Sequence, residues 1–427
     1  MRTLARLLTL AALAAAPLAA QQSYPTAWDP AHLNRPDVRA ALAHLDAGFP
    51  KQMDEWIRIA QMPGASGHEE VRGAYVRAEL EKQGLRVSVD SVGNVTGVRR
   101  GTGGGPTTVF AAHMDIAFPV GTNTIVRQAG DSLLAPGIFD NSSSVANMLA
   151  VVRALNAARV VTTGDLVFVA TVQEELGLRG MDYWLRNNPR PDLLIAMDGG
   201  LGPINYGALG IYWTRYRYKA SGSHTLYSRG RPTPVRALAD AIQRIYALQP
   251  APLPNGAVIN MGQVHGGVIF NGIPQDLFFT VDLRSPDPVL LDSLDRAITR
   301  IAQESAQREG VEMVVEVEQR NGAGGTEAML AGARRHPLVQ TAIDIQRQLG
   351  VRVGMPGASE AIATGSTDAN IGVVMGIPSI SIGRAYGGGQ HTLTEWADGP
   401  SALLGAKLTL LLATTFGDGV RPASFVP

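Results

Sequence analysis

A chain of 427 residues, 45% of them apolar, with 37 basic against 37 acidic side chains, is long enough to bury two packed cores. Balanced charge with no block of one sign leaves no footprint for nucleic acid. The lack of any cysteine excludes disulfides, thiolate metal ligands and lipid attachment through sulfur.

The first six residues carry Arg2 and Arg6, and residues 7–20 are apolar and end in small side chains. This pattern is that of a secretory signal cleaved near Ala20, because the apolar run is shorter than the roughly 20 residues that span a bilayer. The expectation is a periplasmic or secreted protein with no membrane contact after cleavage. Residues 21–35 are proline-punctuated and extended. From Val38 the apolar residues recur at three and four residue steps, as in a helix, until the break at 63–67. A second helix should then run to Gly84 with Glu69 and Glu70 in its first turn.

Alternating strands are expected over 86–92 and 94–99, then an apolar strand ending in His113-Met114-Asp115. A helix over 142–158, a strand from Asp165, a helix over 180–187 and a strand at Leu193 continue the alternation of a mostly parallel sheet with helices on both faces. From 211 to 319 the order changes to strand (211–220), helix (234–248), strand (257–265), strand (276–284), helix (288–308), strand (311–318). That is the ferredoxin-like arrangement. The expected divisions are therefore a leader over 1–20, a first α/β part over 21–210, an inserted α+β unit over 211–319 and a second α/β part over 320–427. The last part holds a helix over 336–349, a strand over 378–383 and a closing helix over 395–415.

The chemistry lies at the strand ends. His113, Asp140, Glu174, Glu175, Asp198 and His391 each follow an apolar segment, where open α/β sheets place ligands. Carboxylates so close together repel in a partly dry cleft unless cations join them. Two imidazoles and three carboxylates suit two zinc ions, with cobalt or manganese as alternatives. His113 and Asp198 are assigned to one metal, Glu175 and His391 to the other, and Asp140 bridges them. Asp115 orients His113, and Glu174 is left as general base for the attacking water.

His-x-Asp, a lone bridging Asp, Glu-Glu-x-Gly, Asp-Gly-Gly and a late His, in this order, resemble the dinuclear zinc exopeptidase family of peptidase T, carboxypeptidase G and aminoacylase, from about Ile57 to Phe416. The chain departs from the family's Asp-Asp-Lys run with Asp140-Asn141-Ser142. The resemblance implies further roles: His224 polarising the scissile carbonyl, Asn271 and Arg284 gripping a terminal carboxylate, Thr367 and Asp368 touching substrate, and a homodimer built on the insert; Gly387 to Gly389, lacking side chains, should let the backbone approach the metals closely. It also implies a metal-dependent exopeptidase acting on short peptides, first as an aminopeptidase or tripeptidase. An N-acyl-amino-acid deacylase or carboxypeptidase shares the site, and a non-catalytic peptide- or metal-binding protein is the reading from another class.

Overall fold

The computed structural model describes residues 24–253, 255–353 and 364–419, so the leader read at 1–20 lies outside the described residues. Among them no helix is long and apolar enough to cross a membrane.

The strand Thr108–His113 is buried along its whole length, which explains its unbroken apolar run. It lies between Leu166–Thr171 and Leu193–Met197 with parallel register, and Ser379–Ile382 adds in parallel beyond them. An antiparallel pair, Arg86–Val89 and Val95–Arg99, completes the six strands at the other edge. Because side chains alternate across a strand, Phe110 and Ala112 enter one core while Val109 and Ala111 enter another. The first core is covered by helices Pro36–Gln61, Ser143–Ala157, Pro337–Gln348 and Ala402–Gly417. The second is covered by Arg179–Asn187 and Ala369–Val374. Helices thus cover both faces of a mostly parallel sheet, and the parallel strands end at one common edge.

A second sheet runs in the order Val258–Asn260, Asp276–Ser285, Gly210–Lys219, Glu312–Asn321, all antiparallel. Helices Pro234–Tyr246 and Pro288–Glu309 pack on one face of it over Tyr216, Tyr218 and Phe279. The single strand expected over 257–265 is instead two, Val258–Asn260 and Val264–Gly266. From Val258 opposite Arg284 to Val264 opposite Phe279, six steps face five, and the extra residue breaks the pairing as a bulge.

Two further elements depart from the sequence reading. The closing helix does not begin at Glu395 but spans Ala402–Gly417, because Gly399-Pro400 stops any helix before it. Residues Trp396–Asp398 form a strand in a small sheet ordered Gly387–Gly388, Trp396–Asp398, Ser132–Leu134, Arg127–Ala129. This sheet, which has no clear sequence signal, holds the late histidine loop against the turn that carries Asp140.

Candidate metal centre

At the common edge of the parallel strands, His113 closes its strand with its ring buried. Its Nε2 lies 3.1 Å from Asp140 Oδ1 and 3.8 Å from Asp198 Oδ2. The other oxygen of Asp140 faces His391 Nε2 at 3.5 Å, and that nitrogen is 3.1 Å from Glu175 Oε1. Asp140 therefore turns one oxygen to each histidine, the disposition a bridging carboxylate requires. Ligand atoms of His113, Asp140 and Glu175 lie within 4.8 Å of one another, as do those of His113, Glu174 and Asp198. The all-nitrogen-and-oxygen donor set fits a borderline or hard divalent metal.

Asp115 is fully buried and has four partners. Its Oδ1 accepts from Glu174 N at 3.1 Å and stands 3.3 Å from His113 Nδ1, while Oδ2 accepts from Glu175 N at 3.1 Å and Ser66 Oγ at 2.6 Å. One carboxylate thus orients the imidazole and fixes the backbone of the Glu174–Glu175 loop.

Burial and crowding set the charges. Burial pushes Glu174 well above the usual carboxylate range, with Asp198, Glu175 and Asp368 adding to the effect and His113 opposing it. Burial likewise raises Asp198 and Glu175. Burial opposes ionisation of Asp140 too, yet the Arg384 guanidinium and both imidazoles hold it well below that range. His113 is held protonated despite its burial by Glu174, Asp115, Asp140 and Asp198, and hydrogen bonds to Asp140 and Glu175 push His391 up to about 10. A field this favourable to two imidazolium protons is equally favourable to metal cations.

Two residues that sequence reasoning missed complete the centre. Arg384 is 1% exposed, pairs with Asp140 Oδ1 at 3.1 Å and with Asp198 Oδ1, and lies 4.2 Å over the Phe139 ring. It follows the strand Ser379–Ile382, so the strand-end rule would have found it had it been applied to cations. Glu395, also buried, accepts from Gly137 N at 3.0 Å and from Phe139 N and Asp140 N at 2.8 Å each. Gly137 itself has φ 73°, and a Cβ there would meet Ile116 Cγ2 at 2.2 Å. Gly387 makes room in a similar way, for Phe139 rather than for a metal, since a Cβ would stand 2.6 Å from that ring.

The remaining residues drawn from the resemblance divide. Arg284 lines the cleft of about 790 Å³ above the centre, together with Ser366. Thr367 and Asp368 do not line it; they are buried behind, Asp368 accepting from Thr171 Oγ1 at 2.6 Å and raised by burial to about 7. The Ser366 side of that loop faces the cleft because Thr367 caps inward to Ala369 N. His224, on the strand Ser223–His224, and Asn271, in the turn just before its partner strand Gly272–Ile273, sit elsewhere, exposed and 3.3 Å from each other. Neither lines the cleft.

Residues 109–415 match the family described as Peptidase family M20/M25/M40. The chain belongs to this family. This M20 chain is 28% identical over 363 residues to the [LysW]-lysine hydrolase of Deinococcus radiodurans, covering 81% of itself and 91% of that relative. In fold it is similar to a tripeptidase from Staphylococcus aureus, with TM-score 0.68, 20% identity, and coverage of 86% of this chain and 98% of the other. It is also similar to a dinuclear metal-binding M20 peptidase from Bacillus subtilis, with TM-score 0.62, 16% identity, and coverage of 86% and 98%. The M20 chain is a hydrolase, and its strand ends carry a candidate metal centre.

Proposed function

We propose that this M20 hydrolase is an exported exopeptidase that removes one residue from short peptides, with the aminopeptidase or tripeptidase reaction as its principal one. The observation that carries the reading is Asp140, whose two oxygens face different histidines, beside a buried Glu174 of raised proton affinity. His113 and Asp198 would hold one divalent metal, Glu175 and His391 the second, with Asp140 shared between them; zinc suits the donors, cobalt and manganese next. Bound there, the metals would polarise the scissile carbonyl and acidify the attacking water. Glu174 takes the proton from that water and returns it to the leaving amine, its burial keeping the protonated form accessible near neutral pH. Asp115 keeps this loop and His113 in place. Arg284, whose Nε donates to Asp282 at 3.0 Å, lines the cleft and would pair with a substrate carboxylate. His224 and Asn271, remote from their own cleft, serve the site of a partner copy in a homodimer.

The D. radiodurans relative favours a second reading, hydrolysis of an amide outside ordinary peptides, with the same residues acting. One tripeptide assayed free, N-acetylated and C-amidated, with added zinc and a chelated control, separates the two. The exopeptidase reading expects cleavage of the free form, loss on acetylation and a higher KM on amidation; preference for the acetylated form would transfer the assignment to a deacylase. Glu174→Gln is expected to lower kcat by about 10²–10⁴ at unchanged metal content, and unchanged turnover would remove the proposed base.

A further inference from the structure

Apart from four of the ligands and Glu174, the ionisable side chains lining the cleft are His68 and Arg284 among the described residues. Every acid in it belongs to the metal centre. Its remaining lining combines Ser66, Gln319, Ser366 and Gln390 with apolar side chains, and the apolar ones fall on two segments that form its walls.

One wall is the segment after Asp115. Ile116 anchors it: its N–H donates to Gly64 O at 2.8 Å, and its side chain is 3% exposed against Gly137. From this fixed point Phe118 and Val120 project into the cleft, Val120 with 70% of its surface exposed. The other wall is the open face of the second sheet. Ile211 and Trp213 lie two residues apart on the strand Gly210–Lys219, so they share a face. Arg284 is the register partner of Ile211 on the next strand and lies on the same face. Apolar side chains on both segments, with the Arg284 cation beside Ile211, suit a short peptide that carries both an apolar side chain and a carboxylate.

Resting on the exopeptidase reading, we propose that the cleft selects peptides whose side chain beside the scissile bond is apolar, that Phe118 and Trp213 are its specificity-determining residues, and that a basic side chain is rejected. Rejection follows from the chemistry of the walls. A lysine ammonium drawn between Phe118 and Trp213 would lose water and find no carboxylate except those already committed to the centre. A leucine or phenylalanine side chain loses only its hydration shell, which is favourable. An acidic side chain is disfavoured by the same apolar walls.

The test uses the full chain loaded with zinc and four substrates, Leu-Gly-Gly, Phe-Gly-Gly, Lys-Gly-Gly and Glu-Gly-Gly. We expect kcat/KM for the apolar pair to exceed that for the charged pair by roughly 100-fold, within the range a hydrophobic pocket achieves. Phe118→Glu, which places a carboxylate in the wall, should raise KM for Leu-Gly-Gly, lower it for Lys-Gly-Gly, and leave metal content and the melting curve unchanged. Trp213→Ala should raise KM for the apolar pair with little change in kcat. Cleavage of all four at similar rates, or Lys-Gly-Gly as the best substrate, overturns this inference and leaves the exopeptidase reading standing. Silence on all four, with zinc bound, removes both. A fall in kcat alone in the two variants would assign Phe118 and Trp213 to structure rather than selection.

Discussion

Arg384 shows how the centre tolerates its own charge. Its guanidinium lies against Asp140 and Asp198, both of which also face His113. Replacing it with methionine would leave two buried carboxylates without their fixed cation, a loss of roughly 3–5 kcal/mol for a broken buried pair. The expected result for Arg384→Met is a marked drop in the melting temperature of chelated protein, most of it recovered by added zinc. Equal losses with and without metal would show that the arginine acts on packing instead. Glu395 acts on geometry. Its two oxygens receive three backbone N–H groups of the turn that carries Asp140. Glu395→Gln would point an amide donor at one of those donors, so zinc affinity, measured by competition with a chromophoric chelator, is expected to fall about 10–100-fold with the fold intact.

Among the helices, the packing of Pro36–Gln61, Glu70–Lys82 and Ser143–Ala157 is joined by one arginine. Arg153 donates to both oxygens of Glu55 at 2.6 and 2.7 Å and to Glu79 at 2.8 Å, one residue from each of the three helices. Burial opposes ionisation of Glu79, but Lys82 and Arg153 outweigh it and depress its pKa below 4.5. A depressed acid contributes stability that is complete above its unfolded pKa and is lost as pH falls through the folded one. Denaturant titrations should therefore show stability declining below about pH 4.5, and Arg153→Met should both lower the plateau and shallow this acid limb. A limb of undiminished depth in the variant would place its origin elsewhere.

Across the whole molecule, the segments flanking the two-stranded pair Ser223–His224 and Gly272–Ile273 leave an apolar patch facing solvent. Leu226, Tyr227 and Ile269 are each more than 60% exposed and Phe270 is fully exposed, all beside the His224–Asn271 pair. Such a patch marks an interaction surface. If a second copy covers it, Phe270→Glu should yield monomers by sedimentation and lose activity together with dimerisation; an active monomer would detach His224 from the chemistry. Sequence alone carried far at this scale. The unbroken apolar runs at 109–112 and 193–197 announced buried parallel strands, and the candidate ligands followed because strand ends are where such sheets expose polar groups. Arg384 and Glu395 escaped because their roles depend on contacts between distant segments. The small sheet at Trp396–Asp398 escaped because three-residue strands carry no periodicity. His224 and Asn271 were legible only by resemblance, and their distance from the cleft needed coordinates. The separation of Glu395 from Asp140 by 255 positions has a consequence in time. A growing chain presents the early ligands long before it holds the carboxylate that fixes the turn between them or the histidine that completes them. The candidate centre therefore stays incomplete until the segment carrying His391 and Glu395 folds back onto the turn that carries Asp140.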